Sequence, residues 1–226
     1  MTGPDPDERS RDFATESLAS GDPTGWFERL YASAEEGEAI VPWDRGAPRL
    51  LLVRWAEAQE VQGGGRRALV VGCGFGDDAE FLAGLGFSVV AFDVAPSAVR
   101  AAERRFPDSP VRYVVADLLH PPQAWRGAFD LVLESHNVQA LPDDLRPEAI
   151  ARAGSFVAPG GKLLVLAAAR DEDDGPVDGP PWPLTRTEID AFADDGLEVV
   201  RIEDIPDPAE PEVRRWRAEF RRPGSG

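Results

Sequence analysis

The chain has 226 residues, and 41 acidic side chains against 24 basic ones give a formal net charge of −17. This balance argues against a nucleic-acid binder, because phosphate contacts need clustered Lys and Arg, and against binding to an anionic membrane. The length suits one compact domain, or one domain with a lid, and 42% hydrophobic residues are enough for a core. A single cysteine excludes an internal disulfide, and neither a signal peptide nor a membrane span is visible, so we expect a cytoplasmic protein.

The N-terminal third of the chain divides into two parts. Residues 1–24 are polar and rich in Pro, Gly and acids, which predicts a disordered leader. Residues 25–66 predict a helical lid, because Trp26 and Tyr31 lie on one apolar helical stripe and a second apolar helix follows Pro48.

From residue 67 onward, short apolar runs alternate with amphipathic stretches. This alternation is typical of a parallel sheet covered by helices, and it predicts one domain over residues 67–226. The strands are predicted at 68–71, 88–92, 111–115, 129–133, 162–168, 197–203 and 213–221. The main helices are predicted at 77–85, 96–106 and 144–157, and Thr185 to Glu188 have the pattern of a capping box for a short later helix.

Three glycines, Gly72, Gly74 and Gly76, directly follow the first predicted strand and precede a helix. Glycine at such a turn lets the backbone approach a ligand closely, and free N–H groups at the helix start face the same point. Asp93 ends the second strand, where a carboxylate can accept hydrogen bonds from both hydroxyls of a ribose. The order of strand, glycines, helix, strand and acid predicts a nucleoside-binding site.

The spacing of these glycines differs from the dinucleotide fingerprint Gly-x-Gly-x-x-Gly, which would need glycine at position 77. Asp77 and Asp78 stand there instead, and two carboxylates are unfavourable beside a pyrophosphate. A nicotinamide-dependent oxidoreductase is therefore the less favoured alternative, and the loop suits a ligand without phosphate.

With these motifs the sequence resembles the class I S-adenosylmethionine-dependent methyltransferases. The likeness extends through Ala116-Asp117-Leu118, the run from Phe129 to Glu134 and the turn Pro159-Gly160-Gly161. It implies a Rossmann-like, doubly wound α/β fold with a seven-stranded, mostly parallel sheet, an antiparallel last strand and helices on both faces. It also implies S-adenosyl-L-methionine as cofactor, S-adenosyl-L-homocysteine as product, and these cofactor-binding residues: Gly72, Cys73, Gly74, Gly76, Asp93, Val94, Asp117, Leu118, Glu134 and Ser135.

One departure points to a particular branch of that family. Val70 occupies the position at which many class I enzymes have an acid that helps to hold the amino end of the cofactor. The aromatic residues Trp26, Tyr31 and Trp43 resemble the thiopurine and thiol/halide methyltransferase branch, in which N-terminal aromatic residues close over the cofactor. Aromatic faces suit a cationic sulfonium and exclude water, so we expect these three residues to bind it.

The residues after the fourth strand, Ser135-His136-Asn137, are expected beside the reacting methyl group. His136 is the candidate catalytic base, although a structural histidine is the more frequent role for such a residue. Asn137 and Trp182, the latter in the acidic loop 171–183, are candidates for the acceptor side and the lid. Two histidines and one cysteine without ligand spacing predict no metal site.

The resemblance implies a small-molecule acceptor, which could be a thiol or another soft nucleophile. An O- or N-acceptor, or a cofactor-binding protein without transfer activity, remains open at this point. Residues 171–212 contain 15 acids and two arginines. This predicts a negative rim at the acceptor entrance that disfavours anionic acceptors.

Overall fold

The structure, a computed structural model, describes residues 6–175, 177 and 179–224. Its centre is a seven-stranded sheet in the order β3-β2-β1-β4-β5-β7-β6, in which β7 runs antiparallel to both of its neighbours. The strands are β1 (Arg67–Val71), β2 (Ser88–Asp93), β3 (Arg112–Val115), β4 (Phe129–Ser135), β5 (Val157–Ala168), β6 (Glu198–Pro206) and β7 (Arg214–Arg221).

Seven α-helices surround this sheet in the part of the chain that the structure describes. They are α1 (Pro6–Ala19), α2 (Gly25–Glu35), α3 (Leu50–Ala58), α4 (Asp77–Gly84), α5 (Pro96–Arg105), α6 (Arg146–Ser155) and α7 (Arg186–Asp190). Short 3-10 turns at Gln123–Trp125, Val138–Ala140 and Ala191–Ala193 complete the connections.

Alternation along the strands buries both faces of the sheet. In β1, Leu69 and Val71 point into the core shared with α6 and α7, while Ala68 and Val70 point into the core shared with α3 and α4. All four side chains are at most 2% exposed. A strand buried on both faces explains the continuous apolar run in the sequence.

The predicted fold class is confirmed, including the antiparallel last strand and the helices on both faces. The capping box is also confirmed, because Thr185 Oγ1 accepts a hydrogen bond from the backbone N–H of Glu188, and the Glu188 carboxylate accepts one from the N–H of Thr185. Strand β5 begins five residues earlier than predicted, at Val157, with an irregular register opposite β4.

The prediction of a disordered leader is wrong for residues 6–19, which form α1; residues 1–5 lie outside the described residues. Ser10, Ala14 and Ser17 repeat at intervals of four and three residues and are at most 8% exposed. These side chains are small, so the helix packs closely on α2 without the large apolar stripe that sequence reasoning looks for.

The N-terminal helices are tied to the domain through α5. The carboxylate of Glu28 on α2 accepts hydrogen bonds from the backbone N–H of Ser97 at 2.8 Å and from its hydroxyl at 2.7 Å. Glu28 therefore supplies an acceptor to the first turn of α5, where backbone N–H groups lack partners within the helix. None of the described helices is both long and apolar enough to cross a membrane.

Candidate active site

A cavity of about 710 Å³ lies where strands β1, β2 and β4 end, between the sheet edge and the N-terminal helices. This volume is within the usual range of roughly 300–1,000 Å³ for small-molecule sites. Most of the residues predicted from the sequence line it: Trp26, Tyr31, Trp43, Gly72, Cys73, Gly74, Gly76, Asp93, Val94, Asp117, Leu118, Ser135, His136 and Asn137. Residues from both the predicted lid and the sheet thus contribute to one wall.

The glycine loop is shaped by contacts that leave no room for side chains. Gly72 has φ +56°, and a Cβ there would lie 1.7 Å from Oδ1 of Asn137. Gly74 has φ +52°, and its Cβ would lie 3.0 Å from the hydroxyl of Tyr31. Both positions therefore need glycine for the backbone conformation and for the close approach of neighbouring side chains. The Cys73 thiol lies between them, and burial raises its pKa well above the usual value.

Asp93 holds the glycine loop from the end of β2. One carboxylate oxygen accepts the backbone N–H of Gly74 at 3.0 Å, and the other accepts the N–H of Ala95 at 2.9 Å. Burial raises the pKa of Asp93 to about 6, although these backbone hydrogen bonds favour the ionised form. The carboxylate keeps free lone pairs on the cavity side, since each oxygen can accept more than one hydrogen bond.

Asp117 lies at the adjacent part of the cavity, after β3. Its carboxylate accepts the backbone N–H of Leu119 at 2.9 Å, and its other oxygen lies 2.8 Å from Nδ1 of His120. His120 itself is well exposed, whereas Leu118 is 8% exposed and packs in the core. The site thus has a buried acid at β2 and a partly exposed acid beside an apolar surface at β3.

An aromatic cluster covers the glycine loop. Nε1 of Trp43 donates a hydrogen bond of 2.8 Å to the hydroxyl of Tyr31, whose ring meets that of Phe75 edge-on at 5.2 Å. Burial raises the pKa of Tyr31 well above its usual value, so its hydroxyl stays neutral. Trp26 is 3% exposed and its Nε1 has no hydrogen-bond partner among the described residues. A buried polar group without a partner calls for an explanation, and a ligand in the adjoining cavity supplies one.

The turn after β4 is fixed by a buried carboxylate. Oε1 of Glu134 accepts the backbone N–H groups of Asn137 at 2.7 Å and Val138 at 3.0 Å, and Glu134 is fully buried. Nδ2 of Asn137 donates to the carbonyl oxygen of Val71 at 2.7 Å and so joins the ends of β4 and β1. Asn137, predicted for the acceptor side, lines the cavity and also braces the glycine loop.

His136 stands at the tip of that turn with φ +67°, a left-handed conformation that is uncommon outside glycine. Its Nδ1 lies 3.1 Å from Oγ of Ser135. The pKa of His136 is well below its usual value, first because of burial and then because of the positive charges of Arg49, Arg215 and Arg45, which Asp207 opposes. The imidazole is therefore neutral at physiological pH and a weak base.

Sequence reasoning missed these three arginines, which all line the cavity. Arg45 pairs with Glu210 at 3.1 Å and Arg215 pairs with Asp207 at 2.7 Å. They come from the loop between α2 and α3 and from β7, up to 170 residues apart in the sequence, so no local pattern could unite them. The Pro-Trp-Asp-Arg-Gly run at 42–46 was the only available signal, and it was interpreted through its tryptophan.

Two predicted site residues do not line the cavity. Glu134 lies beneath the turn and acts on it through backbone hydrogen bonds. Trp182 turns toward the guanidinium of Arg146, 5.6 Å from its ring centre, while Pro180 and Pro181 line the cavity in its place. Arg146 is 2% exposed and also pairs with Asp143 and Glu188, so the indole packs beside a guanidinium that is already held in place.

The prediction of a negative rim is also wrong. Among the described acids of residues 171–212, Glu210 alone lines the cavity. The acids of β6 lie opposite the arginines of β7, as in the pair Glu203 and Arg217 at 2.8 Å. Pairing across antiparallel strands neutralises charges that look like an acidic block in the sequence.

Comparisons with known proteins agree with this geometry. Residues 68–161 match the family described as a methyltransferase domain. The chain is 28% identical to a probable thiol methyltransferase 2 of Arabidopsis thaliana, over 87% of this chain and 84% of that protein. It is 30% identical to a 2-heptyl-1-hydroxyquinolin-4(1H)-one methyltransferase of Mycobacteroides abscessus, over 72% of each chain.

A solved structure shares the same architecture. The N-methyltransferase NodS of Bradyrhizobium japonicum WM9, in complex with S-adenosyl-L-homocysteine, is 25% identical, with a TM-score of 0.65 over 86% of this chain and 98% of that one. The likeness to these relatives extends over most of the chain, beyond the residues that match the family model. The chain therefore belongs to the class I S-adenosylmethionine-dependent methyltransferases and is a methyltransferase of small molecules.

Proposed function

We propose that the protein methylates the sulfur of a small thiol. The observation that carries this proposal is a single cavity that joins the glycine loop and Asp93 to an arginine-lined end around His136. The first part suits a nucleoside, and the second suits a nucleophile that reacts as an anion.

The residues at the glycine loop fit S-adenosyl-L-methionine. Gly72 and Gly74 line the cavity with backbone alone, which lets a ligand approach closely, and the Asp93 carboxylate can accept hydrogen bonds from two ribose hydroxyls. We infer that Gly72, Cys73, Gly74, Gly76 and Val94 hold the cofactor through the loop, Asp117 and Leu118 hold its adenine, and Ser135 borders its sulfur. The aromatic residues Trp26, Tyr31 and Trp43 cover it, and Trp26 offers its unpaired Nε1–H.

In this proposal residues 25–66 act as a lid. Trp43 and Tyr31 are joined by a hydrogen bond and lie over the glycine loop, so their closure excludes water from the reacting centre. Bound cofactor supplies a methyl group on a positively charged sulfur. The chain itself contributes alignment, a dry site and the electrostatic field around the nucleophile.

That field favours a thiolate. The positive charges of Arg49, Arg215 and Arg45 lower the pKa of His136, and the same charges lower the pKa of a thiol bound beside it. A free thiol has a pKa of about 8.5, so a modest decrease ionises it at neutral pH. His136 as a neutral, weak base is then a positioning group near the acceptor. The names of the thiol and thiocyanate methyltransferase relatives support a sulfur acceptor.

An O-acceptor is the second candidate, favoured by the relative named for a 1-hydroxyquinolin-4-one. An acidic hydroxyl would benefit from the same arginine field. Transfer to oxygen and transfer to sulfur give different products, so product analysis separates them.

Calorimetry and turnover test the proposal in two steps. S-adenosyl-L-homocysteine should bind in isothermal titration, and S-adenosyl-L-methionine with a thiol panel should give methyl thioethers detectable by mass spectrometry. Faster methyl transfer to phenols or amines than to thiols would contradict the proposal of a sulfur acceptor. Product binding without turnover across thiol, halide, phenol and amine panels would indicate a cofactor-binding protein that has lost transfer.

A further inference from the structure

Arg49 is a partly buried arginine of the cavity whose side chain has no partner among the described residues. The guanidinium of Arg49 makes no hydrogen bond and no ion pair with the residues that the structure describes, whereas Arg45 and Arg215 are paired with acids. Arg49 is partly buried and lines the cavity. Burial lowers its pKa, which reflects the cost of holding the charge there.

The backbone of Arg49 is anchored even though its side chain is not. Its N–H donates to Oδ1 of Asp78 at 2.7 Å, immediately before α3 begins at Leu50. Asp78 and Asp207 raise the pKa of Arg49, while Arg45 and Arg215 lower it. The residue is thus a fixed point that presents a planar group with free donors to the cavity. Such a group matches the geometry of a carboxylate.

The position of Arg49 relative to His136 assigns it to the acceptor end. Among charged groups, Arg49 has the largest effect on the pKa of His136. The buried groups at the glycine loop respond to acids instead, since Asp93 is the leading charge for both Tyr31 and Cys73. Charge is therefore uneven within the cavity, with Asp93 dominant at the glycine loop and Arg49 dominant at His136.

We propose that the acceptor is a small molecule with a carboxylate that binds the guanidinium of Arg49 while its nucleophilic atom lies beside His136. This inference rests on the proposed function and narrows its substrate class to anionic thiols. It reverses the expectation from net charge, because late acids such as Asp171 and Glu203 pair with Arg214 and Arg217, which do not line the cavity. The reacting bond is unchanged, and Arg49 contributes only binding and orientation.

The test compares two probes that differ in charge but hardly in shape, 2-mercaptobenzoate and 2-mercaptobenzamide. Binding of each to the protein saturated with S-adenosyl-L-homocysteine is measured by isothermal titration, and kcat/KM is measured with S-adenosyl-L-methionine. The wild-type protein should prefer the carboxylate by roughly tenfold or more, the scale of one charged hydrogen-bonded contact.

The informative variant is Arg49→Gln, with Arg54→Gln as its matched control. Arg54 is an exposed arginine on α3, the helix that directly follows Arg49, and it lies outside the cavity wall. We expect Arg49→Gln to lower the affinity for 2-mercaptobenzoate by roughly 10- to 100-fold. The affinity for 2-mercaptobenzamide should fall by less than about twofold. Arg49→Lys should recover part of the preference, and Arg54→Gln should behave as wild type.

Three results would overturn the proposal. Equal losses for both probes, or a wild-type preference for the amide, would show that no anionic group meets Arg49. A weaker affinity of Arg49→Gln for S-adenosyl-L-homocysteine, with unchanged discrimination between probes, would assign Arg49 to the carboxylate of the cofactor. These results differ from a failure of the proposed function itself. If the protein does not methylate thiols, no thiol gives a thioether, but the titrations still show whether Arg49 binds the carboxylate probe.

Discussion

Replacing Asp93 by Asn should separate ligand binding from folding. The carboxylate is buried, and its pKa rises from the usual 3.8 to about 6 because burial disfavours the charge. A raised carboxyl pKa means that the stability from Asp93 is fully present below about pH 4 and is lost as the pH rises through about 6. The difference corresponds to roughly 3 kcal/mol of unfavourable free energy at neutral pH.

The amide removes that cost but also removes one acceptor. Only one oxygen remains for the N–H groups of Gly74 and Ala95, and losing one such bond costs roughly 1.5–3 kcal/mol. The two effects nearly cancel, so the free energy of unfolding of Asp93→Asn should stay within about 1.5 kcal/mol of wild type at pH 7.5. The ribose hydroxyls lose a charged acceptor, and affinity for S-adenosyl-L-homocysteine should fall roughly 100-fold.

Isothermal titration and denaturant unfolding of the free protein measure the two quantities. Asp130→Asn is the matched control, because its carboxylate also accepts a backbone N–H, that of Arg67 at 2.8 Å, but lies outside the cavity wall. An affinity of Asp93→Asn within threefold of wild type would refute the ribose role. A loss of several kcal/mol of stability would show that Asp93 serves mainly to hold the glycine loop.

Four further substitutions test individual contacts. Glu134→Gln keeps both turn bonds through its carbonyl oxygen and removes a carboxylate whose pKa burial raises to about 7. Stability from such a group is lost as the pH rises through 7, so the change in free energy of unfolding caused by Glu134→Gln should be about 2.5 kcal/mol more favourable at pH 8 than at pH 5 in denaturant titration. His136→Asn tolerates the left-handed backbone and should lower kcat/KM for 2-mercaptobenzoate less than about tenfold, whereas loss of a general base costs 100-fold or more. Thr185→Ala should cost about 1 kcal/mol of stability in denaturant titration and leave cofactor affinity unchanged. Trp26→Phe removes the unpaired Nε1–H and should lower the affinity for S-adenosyl-L-homocysteine roughly tenfold in calorimetry, whereas an unchanged affinity would show that this group does not bind the ligand.

Local patterns were sufficient for most of the fold. A strand such as β1 is buried on both faces and is therefore almost entirely apolar. The glycines that follow it, which need positive φ, are also recognisable in the sequence. The helix α1 was not predictable in this way. Its contact with α2 uses Ser10, Ala14 and Ser17, and small side chains gain burial only when a complementary surface is already present.

The same distinction between local and long-range determinants applies to the residues of the candidate site. Residues on a glycine loop or a strand end, such as Gly74 and Asp93, were predictable because their conformation is set within a few residues. Trp182 was assigned to the cavity from sequence, but the buried guanidinium of Arg146 holds it elsewhere. Which way a side chain turns depends on partners from distant segments, and a single sequence does not place them.

The sequence by itself determined the order of the elements, the glycine loop, the acid at the end of β2 and the class of enzyme, because each depends on short-range backbone conformation and on burial. The tertiary structure alone decided the charge of the site. Pairing of β6 with β7 neutralises part of an acidic segment, and the loop between α2 and α3 places Arg45 and Arg49 at the same cavity as Arg215. Net charge sums over the whole chain, whereas a ligand responds to the few charges that remain unpaired within a short distance of it.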